Sequence, residues 1–318
     1  MADDLVALAD DLVLAFEVKS LGVRGRLVRL GAVVDDILHR HDYPPAVSAV
    51  LAEAVALTAM LGSSLKFEGK FILQTRTDGA VDMIVADYVA PGGIRGYARF
   101  DRSRLEALGP QPEEALVLGK GHLAMTVDQG PDMERYQGIV PLDGADLAAA
   151  AHTYFAQSEQ IPTRLRLAAG PVLVRGRTQE SWRAGAIMVQ HLPRHGGSSP
   201  LPLSAGDAPA GFGERPPEHD DWVKARLLLD TVEDHEIIDP TLAPERLLYR
   251  LYHDDGVTAY PAIGLARRCT CSRASISEML LRFSAEDRAD MVEDGRIGVT
   301  CEFCSTRYVF DPAEIVGG

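Results

Sequence analysis

Basic residues are scarce in this chain. Lys and Arg total 32 against 46 Asp and Glu, so the net charge is −14 and the pI about 5.1. Such a surface repels polyanions, which argues against binding to nucleic acid or an anionic membrane. No stretch reaches about 18 uninterrupted apolar residues, so no membrane-spanning helix is expected. The opening segment, MADDLVALADDLVLAFEV, has no basic region and no small-residue cleavage site. It is not read as a signal peptide, and a cytoplasmic location is expected. The usual catalytic signatures are missing as well: there is no G-x-S-x-G, no Rossmann glycine fingerprint and no H-E-x-x-H. Gly119-Lys120-Gly121-His122 lacks the spacing of a phosphate loop and leads into a strand. His122, His152 and His191 are isolated and read as structural. His39 and His41 would point apart on a helix and read as surface residues. No enzyme is expected.

Cysteine is the most informative scarcity. Four occur in 318 residues, and all lie in the last sixth: Cys269-Thr-Cys271 and Cys301-Glu-Phe-Cys304. That clustering points to one site. An extended Cys-x-Cys turns both side chains to one face, and a Cys-x-x-Cys turn brings its sulfurs together. Four thiolates make the closed tetrahedral set that Zn²⁺ takes in structural sites, with no position left for a catalytic water. Such a centre carries a net charge of about −2. Arg267, Arg268, Arg273 and Arg307 are near enough in sequence to offset it. One reading is an inert zinc ribbon. A second is an oxidant switch, because each pair is close enough for its own disulfide if the Cα atoms come within about 7 Å.

The rest of the chain reads as α+β. One or two strands are expected over 12–30, broken at Gly22 and Gly25, with Arg24, Arg26 and Arg29 as solvated partners of acidic neighbours. A short helix follows over 32–40. The helix over 45–62 starts at Pro45 and is apolar on nearly every face, so it belongs inside a domain or an oligomer interface. A meander of strands is expected at 65–76, 81–90 and 94–100, then strands at 122–128 and 136–141. A helix near 145–158 is expected to be capped by Asp143, and strands at 163–169 and 183–192 complete the set. Residues 1–192 therefore form an α+β domain of mostly antiparallel sheets with a buried helix.

The Pro/Gly/Ser-rich stretch 193–217 reads as extended linker. Charged amphipathic helices near 221–233 and 244–254 continue a linker region to 258, and they should be stable only if packed on something. Residues 259–318 form a small module with helices at 274–283 and from Ser284 to a C-terminal Gly295, then a hairpin around the second cysteine pair. A module of this size has little core, so metal should supply much of its folding energy.

With these residues in hand, the chain resembles the heat shock protein 33 family. The likeness rests on Cys269-x-Cys271 and Cys301-x-x-Cys304 with a 29-residue spacer, on RCTCSR (268–273), E-D-G (293–295) and C-E-F-C-x-x-x-Y-x-F through Phe310. R-G-R-L-V-R-L (24–30), E-R-Y-Q-G-I-V (134–140) and S-E-Q-I-P-T-R-L (158–165) add to it. The resemblance implies a redox-regulated, ATP-independent holdase chaperone. Reduced, its four cysteines hold one Zn²⁺ and the chaperone is inactive. Oxidised, Cys269 pairs with Cys271 and Cys301 with Cys304, zinc is released, the linker helices destabilise and unfolding client proteins are captured. It also implies a homodimer, expected to form through the first domain. The client surface is expected around the linker helix (Trp222, Leu227, Leu228) and the sheet face beneath it. Two other classes are weighed: a zinc-containing thiol oxidoreductase and a zinc-ribbon nucleic-acid-binding protein.

Overall fold

The computed structural model describes residues 10–64, 69–130, 135–173, 180–192 and 219–315. The expected linker at 193–217 lies outside them. Two six-stranded sheets enclose one apolar helix. The first sheet runs in the order β10 (Val257–Ala259), β1 (Leu12–Val18), β2 (Val23–Leu30), β9 (Ser181–His191), β8 (Thr163–Val172), with β11 (Ile263–Gly264) also pairing with β1. The second runs β12 (Ala266–Arg267), β5 (Gly93–Phe100), β4 (Val81–Val89), β3 (Lys70–Thr77), β6 (Lys120–Asp128), β7 (Tyr136–Asp143). Every neighbouring pair is antiparallel except β12 and β5.

Helix α2 (Pro45–Gly62), which follows the short α1 (Ala32–His39), lies between the sheets. It carries no charge in its first or last turn, and fourteen of its residues are buried. Among the described residues it alone has the length and hydropathy to cross a membrane. Here its apolar faces meet protein instead. Leu51, Val55 and Met60 join Val28 and Leu30 of the first sheet and Leu73 and Ile84 of the second in one core. Tight β-sheet packing around a helix this apolar is what the hydrophobic effect favours when both sheets offer an apolar face.

The opposite face of the first sheet is also covered. Helices α6 (Asp220–Asp230), α7 (Asp234–Ile238) and α8 (Pro244–Tyr252) pack across it; the intervening α3 (Arg102–Ala107), α4 (Glu114–Leu118) and α5 (Leu147–Tyr154) belong to the first domain. Trp222, Ala225, Leu229, Leu247 and Leu251 bury themselves on Leu14, Phe16, Leu27 and Val189. The Tyr252 hydroxyl donates to the Ala225 carbonyl at 3.1 Å, tying two of these helices together. Helices of about three turns or fewer that are rich in charge have little stability of their own, so this burial is what holds them.

Several expectations change. Arg29 is not solvated: it is fully buried, and its guanidinium donates to the Glu236 carbonyl at 2.8 Å and to the Asp239 carbonyl. Arg183 donates to the Ile238 carbonyl at 2.7 Å. Together the two arginines satisfy the open carbonyls at the C-terminal end of α7, where positive charge is favoured. Burial lowers the Arg29 pKa to about 10. Asp146, not Asp143, caps α5, accepting from the Ala149 N–H at 2.7 Å, because β7 runs on to Asp143 opposite Lys120. Gly295 does not end a helix. With Asp294 it forms a two-residue turn at positive φ (50° and 75°) between β13 (Val292–Glu293) and β14 (Arg296–Thr300). Left-handed backbone at both positions is what such hairpin turns require.

Candidate thiol centre

Strand β14 pairs with β15 (Arg307–Phe310), and this hairpin, β13, α9 (Arg273–Leu280) and α10 (Ala285–Asp290) make the small module. Its core is Ile276, Leu280, Ile297, Phe310 and Ile315. So few apolar side chains cannot offset the chain entropy of some 45 ordered residues.

The thiols lie where the hairpin tip meets the segment after β12. The Cys301–Cys304 turn is closed by Ser305 N–H to the Cys301 carbonyl at 2.8 Å and Cys301 N–H to the Thr306 carbonyl at 3.0 Å. Sulfur–sulfur distances are 3.2 Å (Cys269–Cys271), 3.3 Å (Cys271–Cys304) and 3.7 Å (Cys269–Cys301), and all four sulfurs lie within 4.8 Å of one another. All four are free thiols. Tetrahedral coordination with bonds of about 2.3 Å spaces sulfurs about 3.8 Å apart, so the donor set fits a thiolate-loving ion such as zinc.

Hydrogen bonds differentiate the thiols. Burial, with the neighbouring thiols, pushes Cys271 up to about 12, although the Tyr308 hydroxyl donates to it at 3.3 Å. Burial opposes ionisation of Cys304 too. There the Thr306 hydroxyl and backbone and the adjacent thiols prevail and bring it down to about 6. Cys304 is thus the thiol whose surroundings most favour the thiolate, the form that reacts with oxidants.

Two of the arginines singled out by proximity in sequence have partners elsewhere. Arg267 pairs with Asp36, and Arg273 pairs with Glu314 at 2.6 Å and lies 4.4 Å over the Phe310 ring. Two cations that reach the thiol loops come from the first domain. Arg40 donates to the Cys304 carbonyl at 3.3 Å. Arg95 donates to the Thr270 hydroxyl at 3.0 Å and stacks 3.9 Å from the Phe303 ring centre, while it grips the buried Asp87. His41 belongs to the same seam, which corrects its reading as a surface residue. Its ring stacks on Tyr43 at 4.9 Å, its Nδ1 is 3.1 Å from the Ser305 hydroxyl, and burial lowers its pKa. His39 is exposed and faces Asp35. No local pattern marks Arg40, Arg95 or His41, because the contacts span some 175 to 264 residues.

The connection to the module is pinned by backbone. The Ala266 N–H donates to the Gly92 carbonyl and the Arg268 N–H to the Ile94 carbonyl, both at 2.9 Å. A side chain at Gly92 would strike the Gly264 carbonyl oxygen at 2.1 Å, so the close approach needs glycine there. The boundary expected between 258 and 259 thus falls within β10, and residues 257–267 are part of the two main sheets. Of the expected client-binding residues, Trp222 is buried, Leu228 half-buried and Leu227 exposed, so they do not form one open surface here.

Two antiparallel sheets around a buried helix, with a four-thiol module strapped to their edges, define an α+β protein whose appended centre can hold a metal ion. A family model described as "Hsp33 protein" matches residues 11–311. The 33 kDa chaperonin of Caulobacter vibrioides (strain NA1000 / CB15N) is 46% identical over 308 residues, 95% of each chain. That of Ectopseudomonas mendocina (strain ymp) is 34% identical over 295 residues, 92% of this chain and 90% of that one. The crystal structure of the 33 kDa chaperonin (HSP33) of Thermotoga maritima superposes with a TM-score of 0.74 at 21% identity, covering 96% of both chains. The chain belongs to the Hsp33 family of chaperones.

Proposed function

We propose that this protein is a redox-regulated, ATP-independent holdase. Convergence of four free thiols at the seam between the small module and the first domain carries the reading. In the reduced state Cys269, Cys271, Cys301 and Cys304 hold one Zn²⁺, which supplies folding energy to a module that lacks core. Peroxide or hypochlorite takes two electrons from each cysteine pair. In each pair two thiolate sulfurs join as one disulfide, while peroxide accepts the two electrons, takes two protons from solvent and leaves as two waters. Cys269–Cys271 and Cys301–Cys304 are the proposed bridges, and their formation removes all four metal donors.

Loss of the module's order releases Arg40, Arg95 and His41 from their partners in the thiol loops and frees the strap at 257–267. The helices on the first sheet then lose their neighbours: α8 leads directly into β10 through the turn at His253–Asp255. Their departure bares the sheet face of Leu14, Phe16, Leu27 and Val189, along with Trp222, as an apolar surface for unfolding clients. The exposed Leu227 and half-buried Leu228 would join it. The net charge keeps such complexes soluble. The protein acts in the cytoplasm as a homodimer built through the first domain.

The test treats reduced, zinc-loaded protein with peroxide at elevated temperature, while a chromogenic chelator reports zinc and light scattering reports aggregation of a heat-unfolded client. The proposal expects about one zinc per chain to appear together with protection. Zinc appearing without protection would reduce the centre to a structural ribbon. Protection before oxidation would leave the chaperone but remove the cysteines as its switch.

A further inference from the structure

The face of β2 that turns toward the central helix carries, in order, Leu30, Val28, Arg26 and Arg24. The first two are core. The next two run into a cleft of about 390 Å³ at the open end of the space between the sheets. Its apolar wall includes Leu61, Phe71, Phe155 and Met188. Arg26 is half-buried, and neither it nor Arg24 makes a hydrogen bond or ion pair among the described residues. Burial and the Arg24 charge both lower the Arg26 pKa.

Arg24 is exposed, opposite Glu17 on β1, and its charge repels that of Arg26. Among the described residues no counter-charge pairs with the half-buried Arg26, and a partly desolvated charge calls for one. The polar groups already in the cleft do not supply it. The Ser63 hydroxyl donates to the Met60 carbonyl, and the Gln190 amide donates to the Thr163 hydroxyl. Glu159, on the rim, accepts from the Tyr154 hydroxyl at 3.1 Å and pairs with neither arginine. The wall nearest Glu159 is a π-helical turn, Phe155–Glu159, followed by Gln160 at φ 52°. Widened turns of this kind are rare overall and frequent at functional sites.

We propose that this cleft binds an anionic amphiphile: a carboxylate or phosphate held by Arg26 and Arg24, with its apolar body along Leu61, Phe71, Phe155 and Met188. Guanidinium matches either head group in bidentate fashion, and the volume is that of a small-molecule site. The site shares no residue with the thiol centre or with the covered sheet face.

The test is calorimetric titration of the reduced full-length protein with decanoate and with decyl phosphate, each as monomer, and with decanol and inorganic phosphate as controls. Saturable binding at one site per chain is expected for the two amphiphilic anions. Affinity should be at least tenfold lower for decanol, for inorganic phosphate and for R24Q/R26Q. Intact vesicles containing anionic lipid should not compete if the ligand is a free amphiphile; competition would assign the head group to a membrane lipid and keep the chemistry. Equal binding of decanol, or undiminished binding to R24Q/R26Q, would overturn the proposal. So would the absence of anion binding together with dissociation of R24Q/R26Q into lighter species by sedimentation, which would give the arginines to a contact between copies of this chain. A second variant, R26K, guards against misfolding: it keeps the charge, and binding should weaken less than in R24Q/R26Q.

Discussion

Replacing Leu229 with Ala asks whether packing on the first sheet is what keeps the linker helices closed. Leu229 is fully buried among Trp222, Ile237, Leu247 and the sheet beneath them. It lies on the opposite side of the first sheet from the central helix. Truncating a buried leucine costs about 2–5 kcal/mol through lost transfer energy and the cavity left behind. At about 1.4 kcal/mol per factor of ten, local opening of residues 220–252 should become about 30-fold to several thousand-fold more frequent. Amide hydrogen exchange on the reduced, zinc-loaded variant would read this directly. Faster exchange is expected in α6, α7 and α8, with β3 to β7 unchanged and zinc content still about one per chain. If the covered face receives clients, the variant should also suppress aggregation without any oxidant. Unchanged exchange in these helices would refute the packing argument. Accelerated exchange without protection would refute the assignment of the sheet face as the client surface.

Cys271→Ser removes a donor from the centre of the thiol group, so zinc content after dialysis against a moderate chelator should fall well below that of the wild type; normal retention and normal regulation would sink the four-ligand assignment. Phe303→Ala deletes the contact with Arg95 but no thiol. A cation–π contact of about 0.5–2 kcal/mol corresponds to about 2- to 30-fold faster zinc release under peroxide, with the melting of the first domain unmoved. Glu53, in the central helix, is hydrogen-bonded to Glu114, and burial raises both carboxyls above the ordinary value of 4.5. An acid whose pKa is raised on folding binds more protons folded than unfolded. Stability should therefore fall as pH climbs from about 4.5 through the raised pKa values, and Glu53→Gln should flatten that slope in denaturant titrations at about pH 5 and about pH 8.

Periodicity and composition identified elements whose pattern is local. The helix from Pro45 to Gly62 was legible because eighteen residues carry a single charge, and the meander because turns punctuate alternating strands. Helix ends were less legible. Asp143 and Asp146 are both plausible caps in sequence, and strand pairing with Lys120 decides between them. Gly295 is a helix stop or a hairpin turn depending on whether Val292 finds Ile297, which it does. Arg29 reads as a surface charge until helix α7 is laid over it.

By itself the sequence determined the family, the four thiols and the charge. Those properties reside in residue identity and short spacing, and they survive any arrangement of the chain. Tertiary structure alone decided which cations reach the thiol loops, that residues 257–267 strap the module to both sheets, and that Trp222 is buried while Arg26 faces a cleft. Each of these rests on contacts between residues distant in the chain. Such contacts form only after the two sheets have closed on the central helix, and nothing in the local sequence names the partner.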